Sequence, residues 1–239
     1  MLAALADLLL PPRCHSCKKP VVAGALHLCP DCYQKLSPVT TPLCTCCGDP
    51  FATVNGMDHL CGPCITTPPH FDAARSAYLF TEPLSEMIHR FKYGQQVRLR
   101  RPLALLLLDR LTPFITEAAP EMVLPVPLHT RRLRQRSFNQ SLLLADFLAK
   151  GLSLPLARNL LQRHRWTEPQ VQLPAVERIA NVRNAFSLTD ASAVAGKRIL
   201  LVDDVFTTGS TLTECSRILV KAKAAAVFGV TVARAPLGS

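Results

Sequence analysis

The chain has 239 residues, 49% of them hydrophobic and 18% charged, so it can bury a core, and wholesale disorder is excluded. That length suits one mid-sized domain with a small module, or two small domains. Lysine and arginine number 27 against 17 acids, for a formal charge of +10, and no apolar run approaches the ~20 residues that span a bilayer.

Residues 1–10 are apolar but lack a basic leader, contain Asp7 and meet Pro11-Pro12 without a small-residue cleavage site. This argues against a secretory signal and for a short helix packed on the body of a cytoplasmic protein. In that compartment, paired cysteines read as metal ligands rather than disulfides.

Nine of the ten cysteines lie between Cys14 and Cys64. Eight form Cys14-x-x-Cys17, Cys29-x-x-Cys32, Cys44-x-x-Cys47 and Cys61-x-x-Cys64, with 11, 11 and 13 residues between pairs. Two intervening residues let both thiolates of a knuckle face one tetrahedral ion. Two Zn²⁺ ions would use all eight, either in sequence (Cys14, Cys17, Cys29, Cys32; Cys44, Cys47, Cys61, Cys64) or cross-braced, first pair with third. Sequential pairing is favoured because residues 30–36 read as a helix start carrying the second pair. Four thiolates leave no open coordination position, so such ions are structural. Cys46 is left over, and Cys215 stands far away in a helical pattern.

Residues 66–69, Thr-Thr-Pro-Pro, read as the linker that ends this module. Before residue 71, Arg13, Lys18, Lys19 and Lys35 balance Asp7, Asp31, Asp49 and Asp58, so the whole excess of positive charge belongs to the remainder.

From residue 71, apolar runs alternate with helical patterns. Strands are expected at 75–80, 122–126, 199–202 and 226–232, and helices at 103–111 and 139–150. The second helix has Leu143, Phe147 and Leu148 on one face and Gly151 as its stop. This alternation predicts an α/β domain with a largely parallel sheet.

In residues 199–211 an apolar strand runs into Asp203-Asp204, then Thr207-Thr208-Gly209-Ser210-Thr211. Leu212, Cys215, Leu219 and Ala222 follow at helical spacing. A helix N-terminus suits a phosphate, Gly209 permits close backbone approach, and the hydroxyls can donate. Two carboxylates disfavour that phosphate, so they need another task, such as holding sugar hydroxyls of the same ligand. Helix capping accounts for one such residue but not for the run. Neither G-x-x-x-x-G-K-[ST] nor G-x-G-x-x-G occurs.

Residues 199–211 resemble the phosphoribosyl-pyrophosphate (PRPP) motif of type I phosphoribosyltransferases. The whole chain resembles the ComF/GntX family of competence proteins, which joins a cysteine-rich zinc module to such a domain. Ile88-His89-Arg90-Phe91-Lys92-Tyr93-Gly94 resembles the family's I-x-x-x-K-Y segment. Val126-Pro127-Leu128-His129 and the stretch from Arg131 to Gln140 resemble its P-x-P-L and R-G-F-N-Q, with Ser137 where the family usually has Gly. Thr167, Gln170, Leu173, Arg178, Asn181-Val182 and Ala185-Phe186 match a further block.

The resemblance implies residues 1–69 as an N-terminal helix with the zinc module and 70–239 as the phosphoribosyltransferase-like domain. It implies PRPP or a related phosphorylated ribose, bound with Mg²⁺, as ligand. Asp203 and Asp204 would hold the ribose hydroxyls, and Thr207, Thr208, Gly209, Ser210 and Thr211 would cradle the 5′-phosphate. The segment 127–140 would be the pyrophosphate loop, with Arg131, Arg132, Arg134 and Arg136 as forks for phosphate oxygens. A solvated basic loop or a nucleic-acid patch also fits those arginines. Residues 166–186 would form a hood, with Arg178 and Asn181 as contacts, or a plain structural loop. Trp166 would stack on an acceptor or simply pack, and none of His89, His129 and His164 stands out as a catalyst.

Two function classes follow. One is a phosphoribosyl transferase, with an acceptor the sequence does not name, serving DNA uptake, natural transformation or DNA utilisation. The other is a non-catalytic module binding single-stranded DNA or competence proteins. Ten basic residues against three acids between Arg90 and Arg136 would attract a polyanion, but only 6% of residues are aromatic, which argues against a stacking platform.

Overall fold

The computed structural model describes residues 12–22, 24, 26–53, 55–166 and 182–236. The helix expected over residues 1–10 lies outside them, as do Thr167, Gln170, Leu173, Arg178 and Asn181 of the expected hood.

The cysteines form two tetrads in sequence order, not cross-braced. Each tetrad carries one short helix, α1 (Pro30–Gln34) and α2 (Gly62–Thr66), with a ligand cysteine at the N-cap and proline in the first turn. Proline fits there because its missing N–H is one that a helix start leaves unpaired anyway. Cys14, Cys29 and Cys32 cluster on their own with Val21 and Leu28. Cys44, Cys47, Cys61 and Cys64 instead share a buried cluster with Phe71, Ala74 and Val227. The second knuckle is therefore packed into the body of the molecule, and the junction beyond Thr66 is short.

The body is a parallel four-stranded sheet in the order β1-β6-β5-β2, with β1 Ala73–Leu79, β2 Met122–Pro125, β5 Arg198–Phe206 and β6 Ala226–Arg234. Alternate residues face opposite sides. Leu200 and Val202 pack among α3 (Leu84–Tyr93), α4 (Arg100–Ala118) and α6 (Gln140–Leu152). Ile199 and Leu201 pack with α7 (Ser210–Lys221), the second cysteine tetrad and the small hairpin β3 (Leu161–Arg163) with β4 (Phe186–Leu188). Chain outside the sheet covers both edges. Leu79 N–H donates to Ser37 O (2.7 Å) on β1, and Ala157 N–H to Val123 O (3.0 Å) on β2.

Several expected elements differ in extent. The helix expected at 103–111 runs from Arg100 to Ala118, because Ile115 and Ala118 continue its buried stripe past Pro113. The strand expected at 199–202 continues to Phe206, because β6 stays paired with it through Phe206↔Arg234. Gly151 does not stop α6, which ends at Ser153 in left-handed backbone. Its buried face is Leu144, Ala145, Leu148 and Ala149, with Leu143 and Phe147 at the margin. Helix α3, the β3–β4 hairpin and the short helix α5 (Thr130–Arg136) were not anticipated as elements.

Candidate functional site

β2 stops at Pro125, paired with Val202, while β5 runs four residues further. Asp203 and Asp204 therefore sit at the carboxyl end of the sheet, where open α/β folds place ligands. A cavity of about 580 Å³ opens there, within the size range of small-molecule sites.

The two carboxylates have different partners, as neighbours on a strand must. Asp204 Oδ1 lies 2.9 Å from Lys92 Nζ of α3. Its Oδ2 is buried with no hydrogen-bond partner among the described residues. Asp203 Oδ1 accepts from Ser141 Oγ (2.8 Å) and from the Asp204 N–H (2.9 Å). Burial and the adjacent Asp204 charge push its carboxyl up to about 7, against the opposing pull of Ser141 and Lys92.

The turn out of β5 is built for close approach. Gly209 has φ +74°, and a Cβ there would stand 2.5 Å from Phe206 Cζ. The left-handed residue directs the first turn of α7 at the cavity, presenting the positive end of a twelve-residue helix. Thr207, Gly209, Ser210 and Thr211 line the cavity. Thr208 does not. Its Oγ1 donates to Ser210 Oγ (3.1 Å) and braces the turn.

The four arginines lie on α5, not on an irregular loop. His129 caps that helix through Nδ1, which accepts from the Arg131 N–H (3.2 Å). Helical period then separates them. Arg132 and Arg136, four apart, are half-buried and line the cavity, whereas Arg131 and Arg134 are exposed and do not. The Arg131 guanidinium lies 4.7 Å from the Trp166 ring, and that of Arg136 lies 4.7 Å from the Tyr93 ring. Ser137, the departure from the family's Gly, ends α5 in left-handed backbone (φ 66°), with its N–H on Leu133 O (2.8 Å). The turn is kept, with a residue that adopts it less readily than Gly.

Other lining residues escaped sequence reasoning as site residues. Lys92 lies in the segment marked by the Lys-Tyr pair, but nothing local aims it at Asp204. Asn139 caps α6 by accepting from the Ser141 N–H (3.0 Å), and its Nδ2 donates to Val126 O (3.1 Å). It thereby sets Gln140 and Ser141 at the cavity wall, where Gln140 Oε1 is buried without a partner among the described residues. Arg163 is buried beside them, and burial with the Arg132 charge lowers it to about 10. Trp166 lines the mouth, as does His89, while His129 and His164 do not.

The cysteine tetrads fit zinc by their own chemistry. Within each, the four Sγ atoms lie within 4.8 Å of one another, and all eight cysteines are free thiols. Backbone N–H groups of Cys47 and Cys61 point at Cys44 Sγ (3.4 Å each), and that of Cys29 at Cys14 Sγ (3.4 Å). Burial would raise these two thiols, yet backbone hydrogen bonds bring each down to about 6, whereas burial pushes Cys47 up to about 12 and Cys64 up as well, so four thiolates together need a bound cation.

Comparison with known proteins agrees with both halves. Residues 5–65 match the model of the double zinc ribbon domain, and residues 139–237 that of the phosphoribosyl transferase domain. Competence protein F of Haemophilus influenzae is 34% identical over 213 residues, covering 87% of this chain and 91% of that protein. The chain belongs to the ComF family. Within that family, DNA utilization protein YhgH of Escherichia coli is 35% identical over 223 residues, covering 92% of this chain and 96% of the relative. Competence protein ComFC of Bacillus subtilis is 28% identical over 217 residues, 87% of this chain and 84% of the relative. Among the described residues, no helix is long and apolar enough to cross a membrane.

Proposed function

We propose that the cavity binds PRPP with Mg²⁺ and that the domain transfers the phosphoribosyl group to an acceptor, in support of DNA uptake or utilisation. The observation that carries this reading is the unpartnered, buried Asp204 Oδ2 beside Asp203, at the foot of the Gly209 turn. A buried carboxylate oxygen without a donor is costly, and a ribose hydroxyl supplies one. Asp203 and Asp204 hold the ribose hydroxyls. Thr207, Gly209, Ser210 and Thr211 hold the 5′-phosphate, with Thr208 as their brace. Arg132 and Arg136 face the pyrophosphate, and Lys92 holds Asp204 in place.

In the reaction the bond from the anomeric carbon to pyrophosphate oxygen breaks, a bond to the acceptor's nucleophilic atom forms, and the acceptor gives up a proton. Mg²⁺ bound with PRPP would supply charge neutralisation for the leaving group. The protein contributes position and fixed charge, the terms that dominate transfers with an anionic leaving group. The names of the relatives, competence and DNA utilization, support the cellular role.

Calorimetric titration with PRPP and Mg²⁺, repeated on Asp203→Asn/Asp204→Asn, tests the proposal. Binding by the wild type and its loss in the double variant are expected, and absence of wild-type binding overturns it. A second reading, single-stranded DNA binding, is favoured by Arg131 and Arg134, which are exposed and do not line the cavity.

A further inference from the structure

Arg234 is the last residue of β6, and it is 2% exposed. Its Nε donates to Asp49 Oδ1 (2.8 Å), its Nη1 to Cys47 O (2.7 Å), and its Nη2 lies 3.7 Å from Cys47 Sγ. Cys47 is one thiol of the second tetrad. The guanidinium carbon stands 4.5 Å from the centre of the Phe206 ring. Phe206 in turn is the wall that a Cβ at position 209 would strike. Backbone bonds close the same circuit, with the Ala235 N–H on Phe206 O (2.8 Å) and the Phe206↔Arg234 register of β5 and β6.

We infer that Arg234 is a positioning residue that couples the second zinc centre to the phosphate turn. The proposal rests on the PRPP reading of that turn. Zinc holds Cys47 and, through it, the guanidinium. The guanidinium holds the Phe206 ring in place, and the Cζ tip of the ring leaves room only for glycine at 209. With the second ion removed, Cys47 loses the bond that fixes it, and two of the fork's three anchors move with it. Phe206 is then free to shift and the turn to open. The first tetrad reaches the body by a different route, through Leu28 at the core and the Arg90 guanidinium on His15 O. The ribbon is thus more than a neighbouring module. Its second tetrad stands behind the site, joined to the lining residue Phe206 through Arg234.

Coupling between two binding sites is reciprocal, which provides a readout that a merely structural role would not move. The full chain is brought to equilibrium with a zinc chelator, with and without PRPP and Mg²⁺. PRPP is expected to tighten one of two zinc ions by roughly fivefold or more and to leave the other unchanged. Arg234→Lys keeps a charge for Asp49 but lacks the planar fork. It should retain both zinc ions and lose the PRPP-dependent tightening. Phe206→Leu should lose it too, with the Arg234 anchors intact. A wild type that binds PRPP yet holds both ions equally well with and without it overturns the inference and leaves the PRPP reading standing. A wild type that binds no PRPP overturns both. Should Arg234→Lys fail to fold, Phe206→Leu decides, and retained coupling in that variant overturns the inference.

Discussion

Lys92 Nζ and Asp204 Oδ1 stand 2.9 Å apart at the cavity floor, with side chains only 18% and 6% exposed. Removing one partner of a buried pair leaves an uncompensated charge, at a cost of about 3 kcal/mol. Lys92→Met is therefore expected to lower the denaturant midpoint by that order and to abolish PRPP binding. Adding Asp204→Asn removes the stranded charge. The double variant should regain much of the stability without regaining the ligand, as urea titration and calorimetry would show. Equal stability of the single and double variants would contradict a paired role for Lys92.

Asp203 predicts a particular pH dependence. Its carboxyl is raised to about 7 in the folded chain, above the 3.8 expected when unfolded, so the folded state holds its proton more tightly. Between those values the unfolded state binds fewer protons, and stability falls as pH rises. The shift corresponds to roughly 4 kcal/mol at full effect, an upper bound at a site that borders a cavity. Asp203→Asn should stabilise the ligand-free protein at pH 8, with a gain that shrinks toward zero near pH 4. The ionised carboxylate accepts from a hydroxyl more strongly than the protonated acid, so wild-type affinity for PRPP should rise from pH 6 to pH 8. A stability difference independent of pH would refute this account.

The two cysteine tetrads should respond differently to the same lesion. Cys17 is exposed, and its tetrad clusters with Val21 and Leu28, whereas all four thiols of the second tetrad are buried and cluster with residues of the sheet. Purified wild type should carry two zinc ions per chain by elemental analysis. Cys17→Ser should lose one of them with little change in PRPP affinity. Cys47→Ser should lose the other, unfold at markedly lower temperature and bind PRPP weakly. Identical behaviour of the two variants would contradict this difference in packing between the tetrads.

Local spacing made the metal ligands and the Asp203-to-Thr211 turn legible, since both are dictated by contiguous residues. The parallel sheet was legible too, because Ile199–Val202 and Ala226–Val232 are too apolar to be anything but buried strands. Helix α3 carries its stripe openly at Leu84, Met87, Ile88 and Phe91, and periodicity alone could have found it. Helix α5 could not have been found that way, because it buries no residue at all. It is held by the His129 cap and the left-handed Ser137, neither of which has a strong sequence signature. The pairings of Lys92 with Asp204, Ser141 with Asp203 and Arg234 with Asp49 join residues 62 to 185 positions apart. Such contacts depend on the register of whole strands and helices, which composition and spacing do not carry.

Helix α5 also separates the two functional readings. Had the four arginines lain on a loop, all could have closed on one ligand. On a helix, Arg132 and Arg136 line the cavity, while Arg131 and Arg134 are exposed and take no part in lining it. On the PRPP reading, Arg132→Ala/Arg136→Ala should weaken PRPP by about tenfold or more, since each substitution removes a fork that lines the cavity. Arg131→Ala/Arg134→Ala should leave PRPP affinity near that of the wild type. For a single-stranded oligonucleotide the order reverses. The second variant should bind more weakly, and the slope of log affinity against log salt should fall by about 1.4 for two lost phosphate contacts. Fluorescence anisotropy with a labelled oligonucleotide across a salt series measures that slope directly. An oligonucleotide displaced by PRPP, with both variants affected alike, would place the two ligands in a single site and refute the division of the arginines.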